Sequence, residues 1–186
     1  MDLAAHLAWM AANNRWSNHR LHAACAGLDA EAFRAPRPGF FPSLATTLDH
    51  ILLIDRYYLA ALTGSGRSVD VLEGWRPRTN VTTLAREQRA SDDELCAYCE
   101  GLAATDLDRI VTIDRGPGRL HREAIGPTLT HLFVHQIHHR GQAHAMLSHA
   151  MLSGTAASPP QLDEFFLDSD APLRAADLAA MASIRA

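Results

Sequence analysis

THLFVHQIHHRGQAH, Thr130–His144, carries five of the chain's eleven histidines in fifteen residues without a proline. Apolar residues recur here at helical spacing, and good helix formers continue the pattern. The segment is therefore read as the middle of a helix from about Thr128 to Leu152. A helix advances about 1.5 Å and 100° per residue. His131 and His139 then lie roughly 12 Å apart along the axis, too far to share an ion whose bonds to nitrogen are about 2.1 Å. Only neighbours can cooperate: His131 with His135 and His135 with His139 at i,i+4, and His135 with His138 at i,i+3. On the helical wheel His139 falls beside Leu132, Met146 and Ala150, with His135 about 40° to one side, whereas His131 and His138 drift toward the opposite face. His135 and His139 are the inward-facing pair.

Working outward, three more long helices are expected. Asp2 to Leu28 is alanine-rich with Leu3, Leu7, Met10, Trp16 and Leu21, and GLDAEAF breaks its pattern. RAPRPGFFPS is a proline and glycine connector, after which Ser43 can cap a helix from Leu44 to about Thr63 that stops at GSG. Beyond the loop EGWRPRTN, Asn80 is a possible cap for a helix from about Val81 to Ala104. IVTIDRGPGRLHREAI alternates about a central GPG and reads as a short β-hairpin. After the linker SGTAASPP, QLDEFFL and PLRAADLAAMASI look like one or two small C-terminal helices. Four long helices with little strand predict an all-α fold, a four-helix bundle, and the length fits one domain over residues 1–186.

Composition narrows the function. With 47% apolar and 20% charged side chains the chain can bury a full core. A net charge of −4 gives no basic footprint for nucleic acid or an anionic membrane. No apolar run approaches the roughly 18 residues of a membrane span, and the N-terminus lacks the pattern of a signal peptide, so the cytoplasm is the expected compartment. Three cysteines make a disulfide scaffold an unfavoured reading.

Two imidazoles leave a metal's coordination incomplete, so a third ligand should come from a facing helix. His50 is the candidate, on a stripe with Leu53, Ile54, Tyr57 and Ala61. Taken alone, it reads first as a core histidine bonded to a carbonyl or hydroxyl. The segments HLFVHQIHHRGQ, TLDHILLIDRYYLAALTG and NNRWSNHRL, with PPQLDEFF near the end, resemble the DinB family, named for DNA-damage-inducible proteins. The likeness covers most of the chain. It implies a four-helix bundle of up-down-down-up topology, often a homodimer, holding a divalent metal on three histidines. Those positions fall on His50, His135 and His139, the residues that helix geometry picks out.

Further expectations attach to single residues. Arg140, Gly141 and Gln142 match the family's RGQ, with Gln142 open to a bracing role or to substrate contact. Cys96 and Cys99 form a C-x-x-C inside a helix without a second pair and read as ordinary helix cysteines. Asp49 and Asp55 flank His50, but helix spacing turns both partly away from it. Histidine nitrogen suits several ions, of which zinc or nickel is expected. Some relatives in the wider superfamily are transferases dependent on a low-molecular-weight thiol, which points to a metal-dependent S-transferase or a hydrolase. The rival expectation is a non-catalytic metal-binding bundle in a stress response, its shell closed by Asp49 or a residue of NNRWSN.

Overall fold

The computed structural model describes residues 2–154 and 158–183. Helix α1 (Leu3–Ala26) opens under the Asp2 carboxylate, which accepts the Ala5 N–H at 2.8 Å. Asp29 caps the short α2 (Ala30–Arg34), a turn that the sequence pattern leaves as connector. Helix α3 (Leu44–Thr63) starts at a reciprocal capping box between Ser43 and Thr46 and ends at Gly64, whose φ of 69° is the left-handed conformation glycine adopts freely. Each such cap stabilises its helix by about 1 kcal/mol, enough to fix the ends where the sequence places them. A second unanticipated turn, α4 (Ser68–Gly74), precedes α5 (Val81–Glu100), capped by Asn80. Helix α5 stops four residues short of the expected end, at Gly101, and Ala104–Asp106 tightens into a 3-10 turn.

The hairpin is real. Strands β1 (Ile110–Asp114) and β2 (Leu120–Ala124) pair antiparallel from Ile110 opposite Ala124 to Asp114 opposite Leu120. Gly116 and Gly118 take positive φ at the turn. Helix α6 (Ile125–Leu152) begins three residues before the expected Thr128 because its orphan donors are already satisfied: the N–H groups of Ile125 and Gly126 each reach a carbonyl of the preceding loop, on Arg109 and Leu107, at 3.0 Å. Pro127 then sits in the first turn, where a missing N–H costs nothing. QLDEFFL forms turns rather than a helix, with Phe165 packed on Trp16 at 5.5 Å, and α7 (Ala171–Ser183) is the single terminal helix among the described residues. The expected helix runs on to Ile184, which lies outside the described residues, as do 155–157 of the linker. No helix of the described residues is long and apolar enough to cross a membrane.

The protein is mostly helical, with α1 packed on α5 and α6, and α3 on α6 and α5. Two apolar clusters fill the interior. One gathers Leu7, Tyr58, Leu62, Leu95, Leu129 and Phe133, and the other Leu21, Leu48, Leu52, Leu84, Ala143 and Leu147. Between them in sequence on all four long helices lies a buried polar layer: Asn14 and Asn18 of α1, Asp55 of α3, Gln88 and Asp92 of α5, Gln136 and Arg140 of α6. Cys25, Cys96 and Cys99 are buried free thiols, each pushed up to about 12 by burial, so the C-x-x-C is core packing.

Candidate metal centre

Helix spacing puts His135 and His139 on one side of α6, and the α3–α6 packing brings His50 against them. Ring centroids lie 5.1 Å apart for His50 and His135, 4.7 Å for His50 and His139, and 4.4 Å for His135 and His139. One nitrogen from each ring falls within 4.8 Å of the other two, a group that could hold a metal ion. The Nε2 atoms of His50 and His135 are 3.2 Å apart. Two nitrogens about 2.1 Å from a common tetrahedral ion stand about 3.4 Å apart, so this pair is already near ligand spacing. Among the described residues no Cys, Asp or Glu joins the group.

The electrostatics keep the rings neutral. Burial first, then the neighbouring His139, lowers His50 to about 4, and burial with His139, His50 and His131 lowers His135 to about 3. His139 is lowered by burial, against an opposing hydrogen bond from Gln142. Neutral imidazoles are what a cation needs, because each keeps a lone pair. His135 Nδ1 is buried without a hydrogen-bond partner among the described residues. The site lies at the margin of the α3–α6 pair: His50 and His135 are half-buried, and His139 is 6% exposed.

Surrounding groups hold the rings in place. Gln142 Oε1 stands 2.9 Å from His139 Nδ1, and Gln142 Nε2 stands 3.0 Å from His138 Nε2. With the Nδ1 proton of His139 given to the amide oxygen, Nε2 is left facing the cluster. Gln142 is thus a brace rather than a free side chain. Gln136 donates from Nε2 to the carbonyl of Ile51 at 3.1 Å and to Asp55, which locks α6 to α3 beside His50. From the connector before α3, Phe41 stacks 4.5 Å from His50 and 5.5 Å from His139, with Phe40 beside it, 78% exposed.

His131 is exposed, as the wheel requires, and touches Tyr58 instead. The stripe assigned to His50 needs correction. Tyr57 and Ala61 of that stripe are buried, but Leu53 and Ile54 are only partly so, while Ile51, Leu52, Asp55 and Leu59 also lie deep, so His50 sits on the rim of the core rather than inside it. Asp49 does not turn toward the cluster: its carboxylate accepts from Trp75 Nε1 at 2.9 Å and from the Arg78 N–H at 2.8 Å.

The polar layer is what sequence reasoning missed. Asn14 and Asn18 donate to Asp92 at 3.0 and 2.9 Å, Gln88 bridges Asp55 and Asp92, and Arg140 donates to Asn14 and, at 3.2 Å, to Asn18. Burial raises both carboxyls, Asp92 further through repulsion from Asp55, and it lowers Arg140 despite the two acids. A signal was present: Asn14/Asn18, Gln88/Asp92 and Gln136/Arg140 are polar i,i+4 pairs on three helices that otherwise alternate core and surface.

In fold the chain is similar to a DinB-like protein, YjoA, from Bacillus subtilis, with 15% identity, 82% of this chain and 96% of that chain covered, and a TM-score of 0.57. No curated protein matches. The family model described as "DinB family" matches residues 4–163, which is most of the length, and the chain belongs to that family.

Proposed function

We propose that the protein binds one divalent ion, zinc or nickel, through His50, His135 and His139, and uses it as a metal-dependent enzyme of S-transferase or hydrolase type. The observation that carries this reading is a cluster of three neutral imidazoles, two half-buried at the rim and one buried, with no acidic or thiol side chain among the described residues to complete a shell. The proposed closing ligands are engaged elsewhere: Asp49 with Trp75 and Arg78, and Asn14 and Asn18 with Asp92 and Arg140. Bound there, the ion would lower the pKa of a water or of a low-molecular-weight thiol, so that either is nucleophilic near neutral pH. The chain's own residues set the stage. Gln142 fixes the tautomer of His139, Gln136 holds the two helices in register, and Phe41 with Phe40 walls the cluster with an apolar surface.

The same reading takes residues 1–186 as one domain with up-down-down-up topology. Its support is the membership of the two apolar clusters, where α1 and α6 enter the first cluster with their N-terminal halves and α3 and α5 with their C-terminal halves. A homodimer belongs to the proposal, to be read from light scattering.

Cobalt substitution tests the open site. Adding a small thiol should produce a sulfur-to-metal charge-transfer band. A cobalt spectrum unmoved by thiol, azide and imidazole at millimolar excess would mean a closed structural site and would overturn the enzymatic reading in favour of a non-catalytic stress-response protein.

A further inference from the structure

On the side of the molecule away from the histidine cluster, a cavity of about 320 Å³ lies between α1 and α5 beneath α7. That volume is at the lower end for small-molecule sites. It shares no lining residue with the cluster, and nothing in the metal reading bears on it.

Its polar wall is unfinished. His22, 5% exposed, lines the cavity, and both of its ring nitrogens are buried without a hydrogen-bond partner among the described residues. Arg15 Nε and Gln88 Oε1, on α1 and α5 residues that also line it, are buried and equally unpaired among the described residues. A neutral imidazole offers one donor and one acceptor, Arg15 Nε a donor and Gln88 Oε1 an acceptor, so three residues that line this cavity carry four polar atoms without a partner among the described residues. Native interiors rarely leave such atoms unmet, and a cluster of them calls for an occupant.

Charge selects the occupant's sign. Arg15 already pairs with Asp93 at 3.2 Å, and Asp92 Oδ1 is taken by amide donors of Asn14, Asn18 and Gln88. Arg89, half-buried on the lining, has no ion pair among the described residues, which leaves its guanidinium open to an anion. The rest of the lining is partly apolar: Ala23 and Ala26 of α1 and Ala85 of α5 leave room, and Leu178 and Met181 of α7 form the roof. Helix α7 is tied down along one side by Arg20, which donates to Asp177 at 2.6 Å and to the Leu173 carbonyl at 2.8 Å, and it buries none of its residues fully.

We propose that this cavity is a second binding site, for a small organic carboxylate with an apolar tail. The carboxylate lies between Arg89, Arg15 Nε and the His22 ring, and the tail runs along the alanines beneath Met181.

Octanoate and its neutral analogue octanamide, titrated calorimetrically into the full-length protein, test the assignment. Octanoate should bind one to one, at least tenfold more tightly than octanamide, and equally well after the protein has been stripped with a chelator. Arg89→Gln, a partly exposed position where folding is not at stake, should weaken octanoate at least fivefold. In the unaltered protein the octanoate chain should show nuclear Overhauser contacts to the Met181 methyl. No saturable binding, equal affinity for the amide, an unchanged Arg89→Gln, absence of the Met181 contact, or loss of binding on chelation would each overturn the proposal; the last would place the carboxylate on the metal.

Discussion

His135 and His139 stand one residue before Gln136 and Arg140 on the same helix, and the two columns put buried polarity to opposite uses. Gln136 and Arg140 turn inward, where acceptors from α1 and α3 meet their donors and one cation is set against two acids. His135 and His139 turn to the rim, where burial strips the rings of charge and gives them no carboxylate. A layer whose charges are met by charges holds helices together. A cluster of three imidazoles whose nitrogens converge is one that a cation from outside could complete.

The sharpest way to break this comparison is to disarm each column in turn. Arg140→Leu leaves Asp55 and Asp92 buried without their cation and should destabilise the protein by about 3–5 kcal/mol in urea titration. His139→Ala in metal-free protein should cost only about 1 kcal/mol. Similar losses in the two variants would mean that the rim histidines are structural.

Metal affinity reverses the ranking. Each of His50→Ala, His135→Ala and His139→Ala should lower affinity at least about a hundredfold in a competition titration with a chromogenic chelator, since each removes one of three ligands. His131→Ala, on the exposed face, should leave it unchanged. Full stoichiometry in all three triad variants would remove the site. Gln142→Ala should fall between, weakening metal about tenfold to a hundredfold by freeing the His139 tautomer, with no loss of stability in the metal-free protein.

How much of this was readable depends on the range of the interactions. The caps at Ser43 and Asn80 and the stop at Gly64 were legible because each is settled within four residues. The pair His135 and His139 was legible for the same reason, and His50 followed once a facing helix was required. The polar layer was not, because its bonds join Asn14 to Arg140 across 126 positions and Gln136 to Asp55 across 81, and no local pattern states which polar pairs will meet. The start of α6 was missed because loop carbonyls, not a capping side chain, satisfy its first donors. The amphipathic pattern of α7 was visible, but the cavity beneath it exists only once α7 is laid across α1 and α5.

The smallest expected effect tests the charge balance of the layer through pH. Facing Asp92 are Asp55 from α3, Arg140 from α6, and Asn14 and Asn18 from α1, with His22 and Arg15 further along α1's cavity wall. Burial, then repulsion by Asp55, raises Asp92 above the ordinary carboxylate value near 3.9. The folded protein therefore binds this proton more tightly than the unfolded chain does. Stability from Asp92 is fully present below the unfolded value and is lost as pH rises through the folded one, by at most about 1.4 kcal/mol per pH unit. Asp92→Asn keeps an oxygen to accept from Asn14, Asn18 and Gln88 but cannot ionise. Its urea midpoint should decline less than that of the unaltered protein between pH 6 and pH 9, with the two converging at acid pH apart from a constant offset. Histidines lowered by burial, His22 among them, act with the opposite sign and below about pH 6.5, so they do not mask the alkaline limb. Parallel curves above pH 7 would mean that Asp92 is ionised throughout, and that Arg140 alone neutralises both acids.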